Sequence, residues 1–133
     1  MGGGIRVLLI DDEKVFVDSL TKVLTRRGME VQSALDGYSG LQLLGREGFD
    51  VIVLDLRMPG MDGLATLKAF REQDTLTPVI LLTGAIDLKQ VSQSLQEGAA
   101  EVLLKPCPVE TLVSAIENAY ERKGFATEAA KIL

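Results

Sequence analysis

The chain has 133 residues and a mass of 14.4 kDa, which suits one domain and leaves little room for a second. Its 19 acidic and 14 basic residues give a net charge of −5, which argues against a nucleic-acid surface because such a surface needs clustered Lys and Arg. There is no histidine, which excludes Ser/His and Cys/His catalytic pairs, imidazole metal ligands and a phosphohistidine on this chain, and the single Cys107 excludes an internal disulfide or thiolate zinc site.

No segment resembles a membrane or export signal. The longest apolar runs fall well short of the roughly 18 residues that a bilayer span requires. The short run at the N-terminus meets three consecutive acids too soon for a signal peptide. We therefore expect a soluble cytoplasmic protein with no membrane partner. Residues 1–4 are interpreted as a linker or cloning remnant, 5–123 as one folded domain, and 124–133 as a C-terminal extension or the start of a linker.

Five short apolar runs predict β-strands. Each is rich in Val, Ile or Leu and too short for a helix, and the apolar residues are nearly continuous instead of alternating with polar ones. That pattern is typical of strands buried on both faces of a parallel sheet. The runs are residues 7–10, 31–35, 51–54, 79–82 and 102–104, of which the second and fifth are weaker.

Segments with helical spacing of apolar residues follow each run and predict five helices. Strands and helices that alternate in this way indicate a βα-repeated domain with right-handed crossovers. The expected boundary residues are Gly28 at the end of the first helix, Asp36 and Asp62 before the second and third, Gly98 after the fourth, and Pro108 and Lys123-Gly124 at the two ends of the fifth.

Acidic residues come directly after the first and third predicted strands. Ligands of open α/β sheets bind at the carboxyl ends of the strands, so if these two strands are neighbours, Asp11, Asp12 and Asp55 converge. Two carboxylates about 4 Å apart repel each other by roughly 4 kcal/mol at an effective dielectric near 20. Lys105, after the fifth strand, supplies one positive charge, and a divalent hard ion suits the remainder. The sequence therefore predicts a site for Mg²⁺ and phosphate.

Each residue of this group has a simpler explanation when it is taken alone. Asp11, Asp12 and Glu13 could form the acidic first turn of a helix, and Asp55 could be a turn residue. Thr83 could be the β-branched end of the fourth strand, and Lys105 could be solvated above its apolar stem. The residues follow four different buried strands, however, and their combination is hard to explain as coincidence.

A carboxylate in such a site can act as a nucleophile towards phosphorus and hold an aspartyl phosphate. Phosphoryl transfer depends on positioning and on neutralising the charge of the equatorial oxygens. Mg²⁺ would cover one oxygen, the ammonium of Lys105 a second and the hydroxyl of Thr83 a third. Gly84 has no side chain and leaves room beside the phosphoryl group.

Four motifs in order resemble the receiver domain of bacterial two-component response regulators, similar in extent to the single-domain chemotaxis regulator. They are LLIDDE, VIVLDLRMPGMDG around Asp55, LLTG ending at Gly84 and GAAEVLLKP ending at Pro106, and the resemblance covers residues 5–123. The fold expected for such a domain is α/β and flavodoxin-like, with a doubly wound five-stranded parallel sheet of order 2-1-3-4-5 flanked by five helices.

The resemblance implies that Asp55 is the phosphoacceptor for a phosphohistidine on a sensor histidine kinase or phosphotransfer protein. It implies a Mg²⁺ cofactor held by Asp55, by Asp12 directly, by Asp11 through water and by the backbone carbonyl of Arg57. Such a domain is a phosphoacceptor that assists its own phosphoryl transfer and autodephosphorylation, and is not a turnover enzyme.

The resemblance also implies how the phosphorylated state is stabilised and read. Thr83 would turn towards the phosphoryl group, Lys105 would pair with it, and the Lys105–Pro106 peptide would be cis. The conformational change would be read by an unknown effector domain or downstream protein on the face of the fourth helix, fifth strand and fifth helix. That face, residues 87–97, 101–104 and 108–123, is also a candidate homodimer surface.

Two residues depart from the family pattern. Val102 stands where the family usually carries a Tyr or Phe that swings inward when the threonine moves, and a stiff β-branched side chain cannot make that movement. The phosphorylation chemistry does not depend on this residue. Cys107 stands where Phe is common and is interpreted as a small packing residue instead of a redox centre.

Three alternatives follow from the same residues. A receiver-like interaction module that signals without phosphate gains support from Val102 but not from the complete acid set. A Mg²⁺-dependent aspartyl-phosphate phosphatase of the haloacid dehalogenase type usually has a second Asp two residues after the nucleophile, where this chain has Arg57. Dinucleotide or flavin binding is weaker still, because the first strand lacks a G-x-G-x-x-G turn.

Overall fold

The structure is a computed structural model and describes residues 4–58, 60, 62–74, 76–84 and 87–132, with side chains up to Gly124. The predicted linker at 1–4 therefore lies almost entirely outside the described residues. Strands and helices alternate along the chain as the sequence predicts. The strands are β1 (Arg6–Ile10), β2 (Glu30–Ala34), β3 (Val51–Leu54), β4 (Val79–Thr83) and β5 (Glu101–Leu104), and the helices are α1 (Lys14–Arg26), α2 (Gly37–Arg46), α3 (Gly63–Gln73), α4 (Leu88–Gln96) and α5 (Val109–Ile132).

The five strands form one parallel sheet in the order β2-β1-β3-β4-β5, which confirms the predicted topology. The chain passes from β1 outwards to β2, then returns to the other side of β1 with β3, so the order reverses between β1 and β3. Ile10 is opposite Leu54 in this pair. The next residues, Asp11 and Asp55, therefore leave the sheet side by side.

Two apolar layers cover the sheet. The residues of β3 and β4 are all buried, as are four of the five residues of β1, which explains why their sequences lack alternation. On one face Val7 and Leu9 pack with apolar residues of α1 and α5, and on the other Leu8 and Ile10 pack with those of α2 and α3. The edge strand β2 is mostly exposed, in agreement with its weaker apolar run.

Aspartates cap three of the helices. The Asp36 carboxylate accepts the backbone N–H of Ser39 at 2.8 Å, and that of Asp62 accepts the N–H of Ala65 at 2.8 Å, so both predicted boundaries are confirmed. Asp87 caps α4 in the same way and was not predicted from the sequence. These caps begin α2, α3 and α4 close to the carboxyl edge of the sheet.

The predicted end of the fifth helix near Lys123-Gly124 is wrong, because α5 continues to Ile132. A glycine inside a helix costs only about 1 kcal/mol relative to alanine. The residues after Gly124 include three alanines, a glutamate and a lysine, all of which favour helix and offset that cost. The interpretation of 124–133 as an extension or the start of a linker stays a prediction.

Gly63 brings the start of α3 against the segment that follows Asp55. A β-carbon at this position would lie 2.4 Å from the Leu56 Cα and 2.5 Å from the Asp55 carbonyl oxygen, both of them backbone atoms. We expect Gly63→Ala to lower the free energy of unfolding by about 1–3 kcal/mol, because the backbone must move to relieve the overlap. Urea denaturation measures this change.

Gly48→Ala is the matched control, since a β-carbon there would meet no atom of the described residues within 4 Å and the φ of Gly48 is not positive. We expect this variant to be as stable as the parent protein or slightly more stable. Equal urea midpoints for the two alanine variants would contradict the proposed close approach of α3 to the Asp55 segment.

Candidate functional site

The carboxyl edge of the sheet brings residues from four strands together. The backbone N–H of Asp55 donates to the carbonyl of Ile10 at 3.0 Å, which fixes the segment after β3 beside the end of β1. The backbone N–H of Lys105 donates to the carbonyl of Thr83 at 2.9 Å, which fixes the end of β5 beside that of β4. The backbone ladder therefore determines where each predicted site residue leaves the sheet.

The three predicted acids form a cluster at this edge. One carboxylate oxygen from each of Asp11, Asp12 and Asp55 lies within 4.8 Å of the others. Asp11 and Asp55 are buried, with 2% and 5% of their surface exposed, whereas Asp12 is exposed. Hard carboxylate oxygens with one side open to solvent suit Mg²⁺, which keeps part of its water shell. The donor set and its geometry therefore fit the predicted cation.

Lys105 crosses from β5 to the acids. Its Nζ lies 2.7 Å from Asp11 Oδ2, 3.2 Å from Glu13 Oε1 and 3.8 Å from Asp55 Oδ2, and 16% of its side chain is exposed. The explanation of Lys105 as a solvated surface residue is therefore wrong. The acids also lie before α1, which begins at Lys14, so they do not form the first turn of that helix.

The pKa values of this group shift in directions set by burial and charge. Burial raises the pKa of Asp55, and the charge of Asp11 raises it further. Lys105, the backbone N–H of Arg57 and the side chain of Thr83 lower this pKa, but the net shift is upwards. Burial lowers the pKa of Lys105, but the hydrogen bond to Asp11 and the charge of Asp55 outweigh it, so that pKa is also raised. Lys105 therefore stays protonated at neutral pH.

Thr83 and Gly84 complete an open cleft over Asp55. Thr83 is fully buried, and its side chain lowers the pKa of Asp55. Among the described residues other than its chain neighbours, a β-carbon on Gly84 would meet only the Lys105 Cβ, at 4.0 Å, so no described side chain fills the space beside Gly84. The cleft has a volume of about 330 Å³ and is lined by Asp12, Glu13, Asp55, Arg57, Thr83, Gly84 and Lys105.

Two side chains contact Lys105 that the sequence does not predict. Glu13 accepts a hydrogen bond from its Nζ, and the only signal in the sequence is the position of Glu13 directly after Asp12. The ring of Phe16 lies over the ammonium, with 4.3 Å from Nζ to the ring centroid. In the sequence, Phe16 is part of the apolar pattern of α1 and nothing distinguishes it from a core residue.

A model of the response regulator receiver domain matches residues 7–117. The chain belongs to this family. Receiver domains are phosphoacceptor signalling domains of two-component systems, and the family generally binds Mg²⁺ at acidic residues.

Curated relatives are longer than this receiver domain. It is 35% identical over 121 residues to the transcriptional regulatory protein TrcR of Mycobacterium tuberculosis, covering 91% of this chain and 47% of TrcR. It is 32% identical over 123 residues to the regulatory protein AtoC of Escherichia coli, covering 92% of this chain and 27% of AtoC. The chain therefore spans about half or less of the length of these relatives.

Solved receiver domains share its fold. A CheY-like receiver domain protein from Methanospirillum hungatei superposes with a TM-score of 0.90 at 26% identity, covering 93% of this chain and 99% of that one. The receiver domain of Francisella response regulator 1452 gives a TM-score of 0.83 at 31% identity, covering 90% of this chain and 98% of that one. Within the described parts of this receiver domain, no helix is both long and apolar enough to cross a bilayer.

Other expectations for a receiver domain concern the segment after β5. The Lys105–Pro106 peptide is cis, as predicted. Burial raises the pKa of the Cys107 thiol, and the side chain packs against the core between α1 and α5, which agrees with a packing residue. Val102 is partly buried against the apolar layer on the other face and is paired with Leu81 of β4.

Proposed function

We propose that Asp55 accepts a phosphoryl group from a phosphohistidine on a sensor histidine kinase or phosphotransfer protein. The observation that carries this proposal is the position of its carboxylate, which is buried at the base of an open cleft with Lys105 Nζ 3.8 Å from Oδ2. The cleft gives a partner access to the carboxylate of Asp55, while the fold buries the rest of this residue.

The chain's own groups orient Asp55 for attack. The backbone N–H of Arg57 donates to Asp55 Oδ1 at 3.3 Å, which holds one carboxylate oxygen and leaves the other to react. The bond from a carboxylate oxygen to phosphorus forms as the bond from phosphorus to the partner's imidazole nitrogen breaks, and the imidazole leaves with the electron pair. Lys105 and the Thr83 hydroxyl then donate hydrogen bonds to phosphoryl oxygens.

The acids divide into two roles towards the cation. Both oxygens of Asp11 already have partners, the N–H of Glu13 at 3.0 Å and the Nζ of Lys105 at 2.7 Å, which supports a contact to Mg²⁺ through water. Asp12 is exposed, and none of the described residues donates a hydrogen bond to its carboxylate, so it would ligate directly with Asp55 and the backbone carbonyl of Arg57. Bound there, Mg²⁺ supplies charge neutralisation for the phosphoryl group.

The face formed by α4, β5 and α5 is the proposed output surface, for an effector domain, a downstream protein or a second copy of the chain. Among the described residues, four of the eight exposed large apolar side chains lie on it: Leu88, Leu95, Leu104 and Tyr120. Ser94 is the one buried residue of α4, so this helix is held by few apolar contacts and can move at low cost. Leu104 is paired with Thr83, which links the surface to the site.

Covalent labelling tests the proposal. We expect the purified protein to gain the mass of one phosphoryl group when it is incubated with acetyl phosphate and Mg²⁺, and to gain nothing when EDTA removes the cation. Peptide mapping should place the group on Asp55, and its slow loss in the purified protein would measure autodephosphorylation. A protein that stays unmodified under both conditions would instead be an interaction module that signals without phosphate.

We expect Val102→Tyr to increase the phosphorylation-dependent change at α4 and α5. Val102 lies on the same face of the sheet as Thr83, and an aromatic ring there can move between two rotamers whereas valine is held in one. The difference in amide chemical shifts between free and phosphorylated protein, measured by NMR for residues of α4, reports this change. Val102→Ile, which keeps the branched β-carbon, is the control, and equal shift differences in the two variants would contradict a role for the ring.

A further inference from the structure

The ammonium of Lys105 contacts an aromatic ring as well as carboxylates. Its Nζ lies 4.3 Å from the centroid of the Phe16 ring, within the distance at which a ring face attracts a cation. Since only 16% of the Lys105 side chain is exposed, water screens this attraction weakly. The ring therefore helps to hold the ammonium in place.

The carboxylate contacts alone do not direct Lys105 to the nucleophile. Nζ is hydrogen-bonded to Asp11 at 2.7 Å and to Glu13 at 3.2 Å, whereas its distance to Asp55 Oδ2 is 3.8 Å. The ammonium has three N–H donors, two of which are used by Asp11 and Glu13. A phosphoryl oxygen on Asp55 can take the third donor or replace one of these bonds, and in either case the ammonium must turn towards Asp55. A ring face attracts a cation without using an N–H donor, so this contact leaves all three donors available to the carboxylates and the phosphoryl group.

We propose that Phe16 is a positioning residue that holds the Lys105 ammonium beside Asp55 while its hydrogen-bond partners change. This inference rests on the proposed function of Asp55. Phe16 is half-buried near the start of α1 and, with Lys105, lines an apolar cavity of about 260 Å³ between α1 and α5. The small side chain of Cys107 lines the same cavity. The open space beside the ring lets it follow the ammonium over a short distance.

Packing is the alternative role, because Phe16 also contacts the core between α1 and α5. Phe16→Leu keeps an apolar side chain and removes the ring, and Phe16→Tyr keeps the ring. Val23→Ala is the matched control, because Val23 also lies on α1 and lines the cavity.

The first measurement needs neither Mg²⁺ nor phosphate. The NMR resonances of the Lys105 ε-methylene group should show a ring-current shift in the parent protein, in Phe16→Tyr and in Val23→Ala, and should lose it in Phe16→Leu. Unchanged resonances in Phe16→Leu would overturn the inference, since the ring would then not lie over the ammonium.

The second measurement is the affinity for beryllofluoride, a phosphoryl mimic, followed by ¹⁹F NMR at saturating Mg²⁺. We expect Phe16→Leu to weaken binding by about threefold to tenfold, a change of up to ~1.4 kcal/mol, and Phe16→Tyr to stay within about twofold of the parent protein. In a Lys105→Ala background, Phe16→Leu should have no further effect, because the ring would have no ammonium to position.

The outcomes separate the two proposals. An equal loss of affinity from Phe16→Leu with and without Lys105 would assign Phe16 to packing and overturn the positioning role, while binding by the parent protein would leave the function of Asp55 in place. A parent protein that shows the ring-current shift but binds no beryllofluoride would overturn the function of Asp55, and the positioning role with it.

Discussion

Asp55→Asn is expected to abolish Mg²⁺-dependent phosphorylation and to make the cation-free protein more stable. The amide is a poor nucleophile, so incubation with acetyl phosphate should leave the mass of the variant unchanged. Burial and the nearby Asp11 raise the pKa of Asp55, which means that the folded state disfavours its charged form. A neutral side chain of nearly the same shape removes that cost, and we expect a gain on the order of 1 kcal/mol in the free energy of unfolding at neutral pH.

The gain in stability should depend on pH with a definite sign. A carboxyl group whose pKa is raised by folding contributes to stability below its unfolded pKa, and that contribution is lost as the pH rises through the raised folded value. The difference in the free energy of unfolding between Asp55→Asn and the parent protein should therefore be largest at neutral pH. It should shrink as the pH falls through the raised pKa of Asp55. Urea denaturation at several pH values, in EDTA, measures it.

Asp36→Asn is the matched control for the loss of phosphorylation. Asp36 also follows a strand at the carboxyl edge of the sheet, but its carboxylate caps α2 through the N–H of Ser39. Asparagine caps a helix about as well as aspartate, so this variant should fold and be phosphorylated normally. Persistent labelling of Asp55→Asn at the parent rate would contradict the assignment of Asp55.

The sequence predicts the sheet well where burial leaves a strong pattern. In β1, β3 and β4 nearly every residue is buried, so uninterrupted runs of Val, Ile and Leu are enough to locate them. The length of α5 is predicted less well. Gly124 suggests an end, but the helix continues because its following residues favour helix and a single glycine costs little.

The candidate site shows a similar division. Asp11 and Asp55 are found from the sequence because each directly follows a buried strand, and Asp12 is the residue next to Asp11. Lys105 directly follows β5, which is only partly buried, and neighbouring strands bring these ends together. The contact of Phe16 with Lys105 depends on the direction of two side chains, one on α1 and one after β5. The two residues are 89 positions apart in the sequence (105 − 16). Helical spacing identifies Phe16 as apolar but cannot indicate which group its ring contacts.

Lys105→Ala is expected to destabilise the cation-free protein strongly and to preserve Mg²⁺ binding. Asp11 and Asp55 are buried, and Lys105 contacts both. Removing one partner of a buried ion pair leaves uncompensated charge, and the loss in the free energy of unfolding should be about 3 kcal/mol. Because the pKa of Lys105 is raised, the parent protein keeps this contribution at neutral pH and loses it only as the pH rises through that raised value.

Mg²⁺ should restore most of the stability that Lys105→Ala loses. The three acids and Lys105 carry a net charge of −2 (3 − 1), and the variant leaves −3, so electrostatics favours binding of the cation more in the variant than in the parent protein. A ligand that binds the folded state alone stabilises it by mass action.

In Lys105→Ala we also expect a reduced response of α4 and α5 to phosphorylation, because the ammonium no longer contacts the phosphoryl group. Urea denaturation with and without Mg²⁺, and amide shifts of α4 and α5, measure the two effects.

Lys14→Ala is the control that shows how much the free energy of unfolding changes when an exposed lysine is removed. Its ion pair with Asp18 is exposed on α1, with 71% and 56% of the two side chains accessible, so removing it should change the free energy of unfolding by no more than about 0.5 kcal/mol. Loss of Mg²⁺ binding in Lys105→Ala would mean that the lysine organises the acids for the cation. Retained binding with a lost response would assign it to the phosphoryl group, because the carboxylates would then hold the cation without the ammonium.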